Sequence, residues 1–223
     1  MKPRILIIIP VLRRPHRAAP VVESIRKATP EGAARVLFVG TTGDAAEHEA
    51  CKATGADLMV LPGEHQPGDY ARKINAAYQA SAEPLLFLGA DDIDFRPGWL
   101  AAAERVMTET GAGVVGTNDL GNPRVMRGDH ATHCVVSRVY ADEFGTVDEP
   151  GKIMHEGYVH EFADDEMVGT AKKRRRWAFA ADSIVEHLHP SWNKAPTDAL
   201  YDAQADRMRQ SRALYLSRMG MWL

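Results

Sequence analysis

Four short apolar runs constrain this chain more than any other feature: Arg4–Ile9, Arg35–Val39, Asp57–Leu61 and Pro84–Leu88. Each has the length of a strand and is continuous rather than alternating, so each is expected to be buried on both faces. Helix-compatible stretches separate them at Ala19–Ala28, Asp44–Thr54 and Asp69–Ala80, the second with Asp44 in the N-cap position and Gly55 at its close. The order βαβαβαβ predicts an α/β fold with a mainly parallel sheet covered by helices on both sides. Ligands of such sheets bind beyond the carboxyl ends of the strands. The segments that follow Ile9, Val39, Leu61 and Leu88 are therefore where chemistry is expected.

The pattern changes after residue 112. Shorter runs at Gly113–Thr117 and His133–Arg138 flank a long loop over 119–129, and the remainder reads as a helix over 163–176, a final strand Ser183–Glu186 and a terminal helix Thr197–Met219. No internal repeat or low-complexity linker divides the 223 residues, which predicts a single domain. Composition narrows the class further. Hydrophobic residues at 45% and charged residues at 26% describe a soluble chain with a full core. The net charge of -3 provides no overall basic field for nucleic acid. The two cysteines, Cys51 and Cys134, have no metal-site or disulfide spacing. The longest apolar run, Ile5–Ile9, is far short of the roughly 18 residues of a membrane span, and no secretory cleavage pattern follows it. These features predict a cytoplasmic protein. Six of the nine histidines fall between 130 and 189, a clustering that asks for an explanation.

Three segments carry candidate chemistry. After the fourth strand, Asp91, Asp92 and Asp94 crowd three carboxylates into four positions. A divalent cation would relieve their repulsion, and hard oxygen ligands suit magnesium or manganese. The competing reading is an Asp-rich turn with Asp94 capping a helix that begins near Pro97. In the segment Phe162–Met167, Asp164 is either a helix N-cap or a reactive carboxylate. On an extended strand His187 and His189 point to one face, as two ligands of one ion would.

The strand ending in Pro10, the helix bearing Arg72-Lys73-Ile74-Asn75, and the strand leading into Asp91-Asp92 and then Pro97-Gly98-Trp99-Leu100 together resemble the GT-A nucleotide-sugar glycosyltransferases. The similarity is greatest to the large inverting family typified by bacterial and phage polysaccharide enzymes, and it runs from about residue 4 to 190. It implies a GT-A (Rossmann-like) fold, with residues 1–100 as the nucleotide-sugar half, 101–196 as the acceptor half and 197–223 as a C-terminal helix. In that family a strand-end Asp-x-Asp holds the metal bridging the donor diphosphate. Here Gly89 stands at the first acidic position and Asp91 at the second, followed by Asp92. The implied metal ligands are Asp91 and Asp92 with His187 or His189. The run Ala163-Asp164-Asp165-Glu166 resembles the family's Glu-Asp-x-Asp, with Ala163 replacing the Glu, which implies Asp164 as general base.

The resemblance further implies contacts of the donor's base, ribose and diphosphate with Pro10, Val11, Arg13, Thr41, Asp44, Arg72, Lys73 and Asn75, although the family's acidic residue after the second strand is missing from Phe38-Val39-Gly40. Solvation of both Arg72 and Lys73 stands as the competing account. The implied activity is a metal-dependent, inverting transfer of a sugar from a nucleoside-diphosphate donor to a hydroxyl of a glycan, protein or other acceptor. Two other readings remain open: a nucleotidyltransferase, though Val11-Leu12-Arg13-Arg14-Pro15 lacks that class's glycines, and a catalytically inactive sugar-nucleotide-binding protein. The run Lys172–Arg176 is better explained as cations in the last turn of a helix than as a nucleic-acid site. Arg207, Arg209, Arg212 and Arg218 suit either a lid over the diphosphate or a contact in a homo-oligomer. His130, His133, His155 and His160 fall in acceptor-side segments without an assigned role.

Overall fold

The computed structural model describes residues 2–147 and 149–222. The predicted alternation is present as β1 (Ile5–Pro10), α1 (Pro15–Ala28), β2 (Ala34–Thr41), α2 (Ala45–Ala53), β3 (Asp57–Leu61), α3 (Asp69–Gln79) and β4 (Leu85–Leu88). There follow β5 (Ile93–Phe95), α4 (Trp99–Thr110), β6 (Val114–Asn118), α5 (Pro123–Met126), β7 (Cys134–Ser137), α6 (Arg138–Phe144), α7 (Ala163–Lys173) and β8 (Trp177–His187). A short 3-10 turn at Pro190–Trp192 leads to α8 (Ala199–Asp202) and α9 (Gln204–Met219). The sheet order is β3-β2-β1-β4-β7-β6-β8-β5. Strands β1 to β4 pair in parallel, β7 is antiparallel to both β4 and β6, and β8 is parallel to β6. This is the mixed, mainly parallel α/β sheet that the apolar runs predict.

The continuous run in β1 is explained by its two coverings. Ile5, Ile7 and Ile9 pack with Ala18, Val21, Val22 and Ile25 of α1 and with Trp99 and Leu100 of α4. Leu6 and Ile8 face the other way, against Ala71, Ile74 and Ala77 of α3 and Met167 and Val168 of α7. Each such side chain contributes about 1.5–3 kcal/mol on burial, so no position in the strand tolerates a polar residue.

Several boundaries differ from expectation for identifiable reasons. The short final strand expected at Ser183–Glu186 is part of the 11-residue β8, because Trp177–Ala180 pair with β6 ahead of a register shift near Asn118. The helix expected over 163–176 stops at Lys173, and Arg175 turns the chain at φ 55. Asp94 is no helix cap, since it sits in β5 opposite Glu186, and Gly98 at φ 87 opens α4 instead. The terminal helix is broken at Ala203, and the long loop contains α5, capped by Asn122. Among the described residues, no helix is long and apolar enough to cross a membrane.

Candidate active site

The carboxylates sit where the topology of an open α/β sheet puts a ligand, beyond the carboxyl end of the central strand β4. Gly89 follows that strand closely packed, since a Cβ there would lie 3.0 Å from the Ile8 carbonyl oxygen. Geometry thus disfavours a side chain at the position where an Asp-x-Asp would begin. The chain then turns through Asp91 and Asp92 into β5, whose Ile93 pairs with His187 of β8. That register puts the imidazole beside the acidic turn: His187 Nε2 lies 3.5 Å from Asp92 Oδ1. The oxygen is buried and makes no hydrogen bond. His189, one step past the strand, stacks edge-on to His187 at 5.0 Å between ring centroids, and its Nδ1 accepts from the Ser191 N–H.

A third histidine completes this wall. The Leu88 carbonyl lies 3.1 Å from His133 Nδ1, which must donate the proton, leaving Nε2 buried and without a partner. Burial, with His187 adjacent, lowers the His133 pKa to about 4, so the ring is neutral near neutral pH. Asp91 and Asp92 respond oppositely to their shared burial. Burial and the neighbouring Asp92 push Asp91 up to about 7. The burial penalty on Asp92 is outweighed by His187 and by the Tyr201 hydroxyl, which hold it well below the usual carboxylate range.

Arg14 lies between the two carboxylates. Its Nη1 is 3.2 Å from Asp91 Oδ1 and 3.5 Å from Asp92 Oδ2, and the residue is 7% exposed. From the other side Asp198 accepts a hydrogen bond from Nη2 at 2.9 Å and lies 2.8 Å from Nε as an ion pair, while the Tyr201 ring covers the guanidinium at 4.2 Å. Tyr201 also donates its hydroxyl to Asp92 Oδ2. The loop after β1 aims this side chain. Arg13 takes a left-handed φ of 52, with its N–H bonded to Asp44 Oδ2 at 2.7 Å, and the Arg14 N–H bonds to Glu47. The consequence is that Arg13 is exposed and Arg14 enters the cleft.

A second polar centre lies at the start of α7. Phe162 occupies the N-cap position at φ 74, which puts Asp164 inside the first turn rather than at the cap. His130 Nε2 is 3.1 Å from Asp164 Oδ2. Burial opposes ionisation of Asp164, but the His130 hydrogen bond and the backbone N–H groups of the helix start lower its pKa below the usual value. The same pairing raises the pKa of His130 against its burial penalty. Asp165 is raised by burial and by Asp164, and it bonds to Arg124 at 2.6 Å. His130, Asp164 and Asp165 offer ligand atoms within 4.8 Å of one another. Arg124 already balances part of that charge. Ala163, in place of the family's Glu, is buried in the core.

Both centres line one cleft of about 710 Å³, together with Pro10, Val11, Tyr70, Lys73 and Arg207. Most of the other sequence candidates are engaged by the protein's own groups. Lys73 is buried with Nζ bonded to the Val11 carbonyl at 2.8 Å. Asn75 bonds to the backbone of Ile153 and Met154 and to Glu156. Arg72 pairs with Asp69, and Thr41 is buried at the end of β2. Of the terminal arginines, Arg207 pairs with Glu161, Arg218 with Glu166 and Arg209 with Asp206, while Arg212 is exposed. His160 packs edge-on to Tyr70, and His155 pairs with Glu149. Sequence reasoning had no role for Arg14, His130, His133, Asp198 or Tyr201. The histidine cluster and the Arg13-Arg14 pair were visible signals, whereas nothing marked Asp198 or Tyr201.

No protein-family model matches the chain, and no curated protein matches its sequence. Solved structures do match. The sheet and its flanking helices have the GT-A fold seen in solved glycosyltransferases. One is a mannosyltransferase from Pyrobaculum calidifontis, in complex with GDP-Man and Mn2+, at a TM-score of 0.73 and 15% identity; the match covers 98% of this chain but only 64% of that one. Another is glucosyl-3-phosphoglycerate synthase from Mycobacterium tuberculosis, in complex with phosphoglyceric acid, at a TM-score of 0.65 and 17% identity over 98% of this chain and 80% of that one. A third is TarS from S. aureus with UDP, at a TM-score of 0.61 and 15% identity over 83% of this chain and 59% of that one.

Proposed function

We propose that the protein is a metal-dependent, inverting glycosyltransferase that moves a sugar from a nucleoside-diphosphate donor to an acceptor hydroxyl. The observation that carries this reading is the pairing of two distinct carboxylate centres in one cleft: Asp91-Asp92 with His187 at the strand end, and Asp164 with His130 opposite. The residue types suit a divalent ion, and the Asp92–His187 pair is already spaced for one. Asp92 Oδ1 is buried and unbonded 3.5 Å from His187 Nε2, and an octahedral ion with bonds of about 2.1 Å holds neighbouring ligands about 3 Å apart. Asp91, Asp92 and His187 would hold it, with His189 and the neutral His133 beside them. When bound, manganese or magnesium supplies Lewis-acid neutralisation of the charge that develops on the departing diphosphate. The Mn2+ named with the mannosyltransferase supports the same reading.

The protein's own residues account for the acceptor side. Asp164 stays ionised because His130 and the α7 N-terminus stabilise its charge, so it is ready to take the proton of an attacking hydroxyl. Tyr201 and His189 pack edge-on over Asp92, which accepts from the Tyr201 hydroxyl. Asp164→Asn removes the base without changing volume. Transfer is expected to fall by about two to four orders of magnitude, while donor binding stays intact. The test is product analysis: release of nucleoside diphosphate with a new glycosidic product supports the reading, and full transfer by Asp164→Asn refutes the base assignment.

A further inference from the structure

We propose that Arg14 is the resident counter-cation of Asp91 and Asp92, and that it transfers to the donor's diphosphate when a divalent ion takes its place between them. This rests on the metal-dependent reading above and assigns a donor contact within that site. A buried guanidinium held only for stability is a weak device, since desolvation cancels much of the attraction and a well-packed apolar side chain would serve as well. Arg14 is also an incomplete counter-charge. One guanidinium faces Asp91, Asp92 and Asp198, and Asp92 Oδ1 remains unbonded. With all three carboxylates ionised two negative charges are left over, which a divalent ion would balance.

The guanidinium and the ion compete for the same carboxylate oxygens. Arg14 Nη1 reaches Asp91 Oδ1 and Asp92 Oδ2 from one point, and an ion on those oxygens would repel it strongly at so short a range. Its remaining partners allow it to leave. Asp198 caps the four-residue α8 with its side chain 33% exposed, and Tyr201 holds only the face of the guanidinium. Arg14 lines the cleft alongside Val11 and Lys73, where an anion would enter. A planar fork of donors suits a diphosphate, which carries the charge that the displaced guanidinium needs.

The experiment uses Mn2+ alone, followed by electron paramagnetic resonance of the free ion, and then UDP, GDP and pyrophosphate at saturating Mn2+, followed by calorimetry. Arg14→Gln keeps most of the packing and loses the charge, and Arg14→Lys restores a charge. Thermal melts establish that both variants fold. Arg14→Gln is expected to bind Mn2+ alone about tenfold or more tightly than the parent. It should bind the diphosphate ligands about tenfold or more weakly, with Arg14→Lys between the two on both measures. Opposite signs are the signature of a cation that changes partners. A fall in both affinities points to packing alone and overturns the proposal, as does unchanged Mn2+ binding or unchanged diphosphate binding. If neither parent nor variant binds Mn2+, with or without a diphosphate, the metal-dependent reading fails and this proposal with it. Equal Mn2+ affinities alongside Mn2+-dependent nucleotide binding defeat the role of Arg14 alone.

Discussion

Replacing Asp91 by Asn should make the metal-free protein more stable at pH 8 while removing its response to Mn2+. A carboxyl whose folded pKa lies above its unfolded value costs stability when it ionises. The stabilising contribution is present below the unfolded value of 3.8 and is lost as pH rises through about 7. The interval is about three powers of ten in proton affinity, at about 1.4 kcal/mol each, so ionised Asp91 costs the folded state up to about 4 kcal/mol. The amide loses part of the charged contact with Arg14, which leaves an expected net gain of about 1–3 kcal/mol above pH 7. In a chain of this length that corresponds to about 3–10 °C in Tm. The assay is thermal unfolding with chelator at pH 5 and pH 8. At pH 5 Asp91 is neutral in the folded protein but already ionised in the unfolded chain, so about 1–2 kcal/mol of the cost is present there. The variant's Tm relative to the parent should therefore be distinctly higher at pH 8 than at pH 5. Added Mn2+ should raise the parent's Tm and leave the variant's nearly unchanged. A variant that melts lower at pH 8 by as much as at pH 5 would refute the reasoning, since the repulsion would then contribute nothing.

Two further outcomes are expected. His130→Gln removes the partner that holds Asp164 ionised, so the acid limb of the kcat/KM profile should move to higher pH with little change in donor affinity; an unmoved limb means His130 does not tune the base. Arg218→Met leaves the buried Glu166 without its bidentate partner and should cost about 3–5 kcal/mol in urea unfolding, whereas the double variant with Glu166→Gln should recover much of that loss.

The parts of the fold written in local patterning were legible in the sequence. The runs that became β1, β2 and β4 are short and mostly apolar because both faces of the sheet are covered there, whereas β3 lies at the sheet edge and, against expectation, has no buried residue. β5 escaped notice because three residues with Asp94 at the centre carry no periodicity, although its pairing with β8 is what sets His187 against Asp92. The acidic turn and Asp164 were found because carboxylates at a strand end or helix start are chemically conspicuous. Arg14 was passed over for Arg13, because the choice depends on a left-handed backbone angle at Arg13 and on anchoring by Asp44 and Glu47, both remote in sequence. Lys73 and Asn75 have residue types that suit a ligand site, and in the structure their polar atoms are engaged by the protein's own backbone and, for Asn75, by Glu156.

Those two residues give α3 the character of a caliper. Lys73 grips the Val11 carbonyl as one jaw, and Asn75, two positions along, grips the 153–156 segment as the other. At the same helix's start a Cβ on Gly68 would come within 2.4 Å of the Glu156 carbonyl oxygen, so the jaw is set as closely there as a backbone permits. One rigid rod therefore spaces the two jaws, and the gap between them has no hinge of its own. Alanine substitutions at Lys73 or Asn75 would mimic loss of a catalytic group by mis-setting that gap, and screens that score activity alone would misassign them.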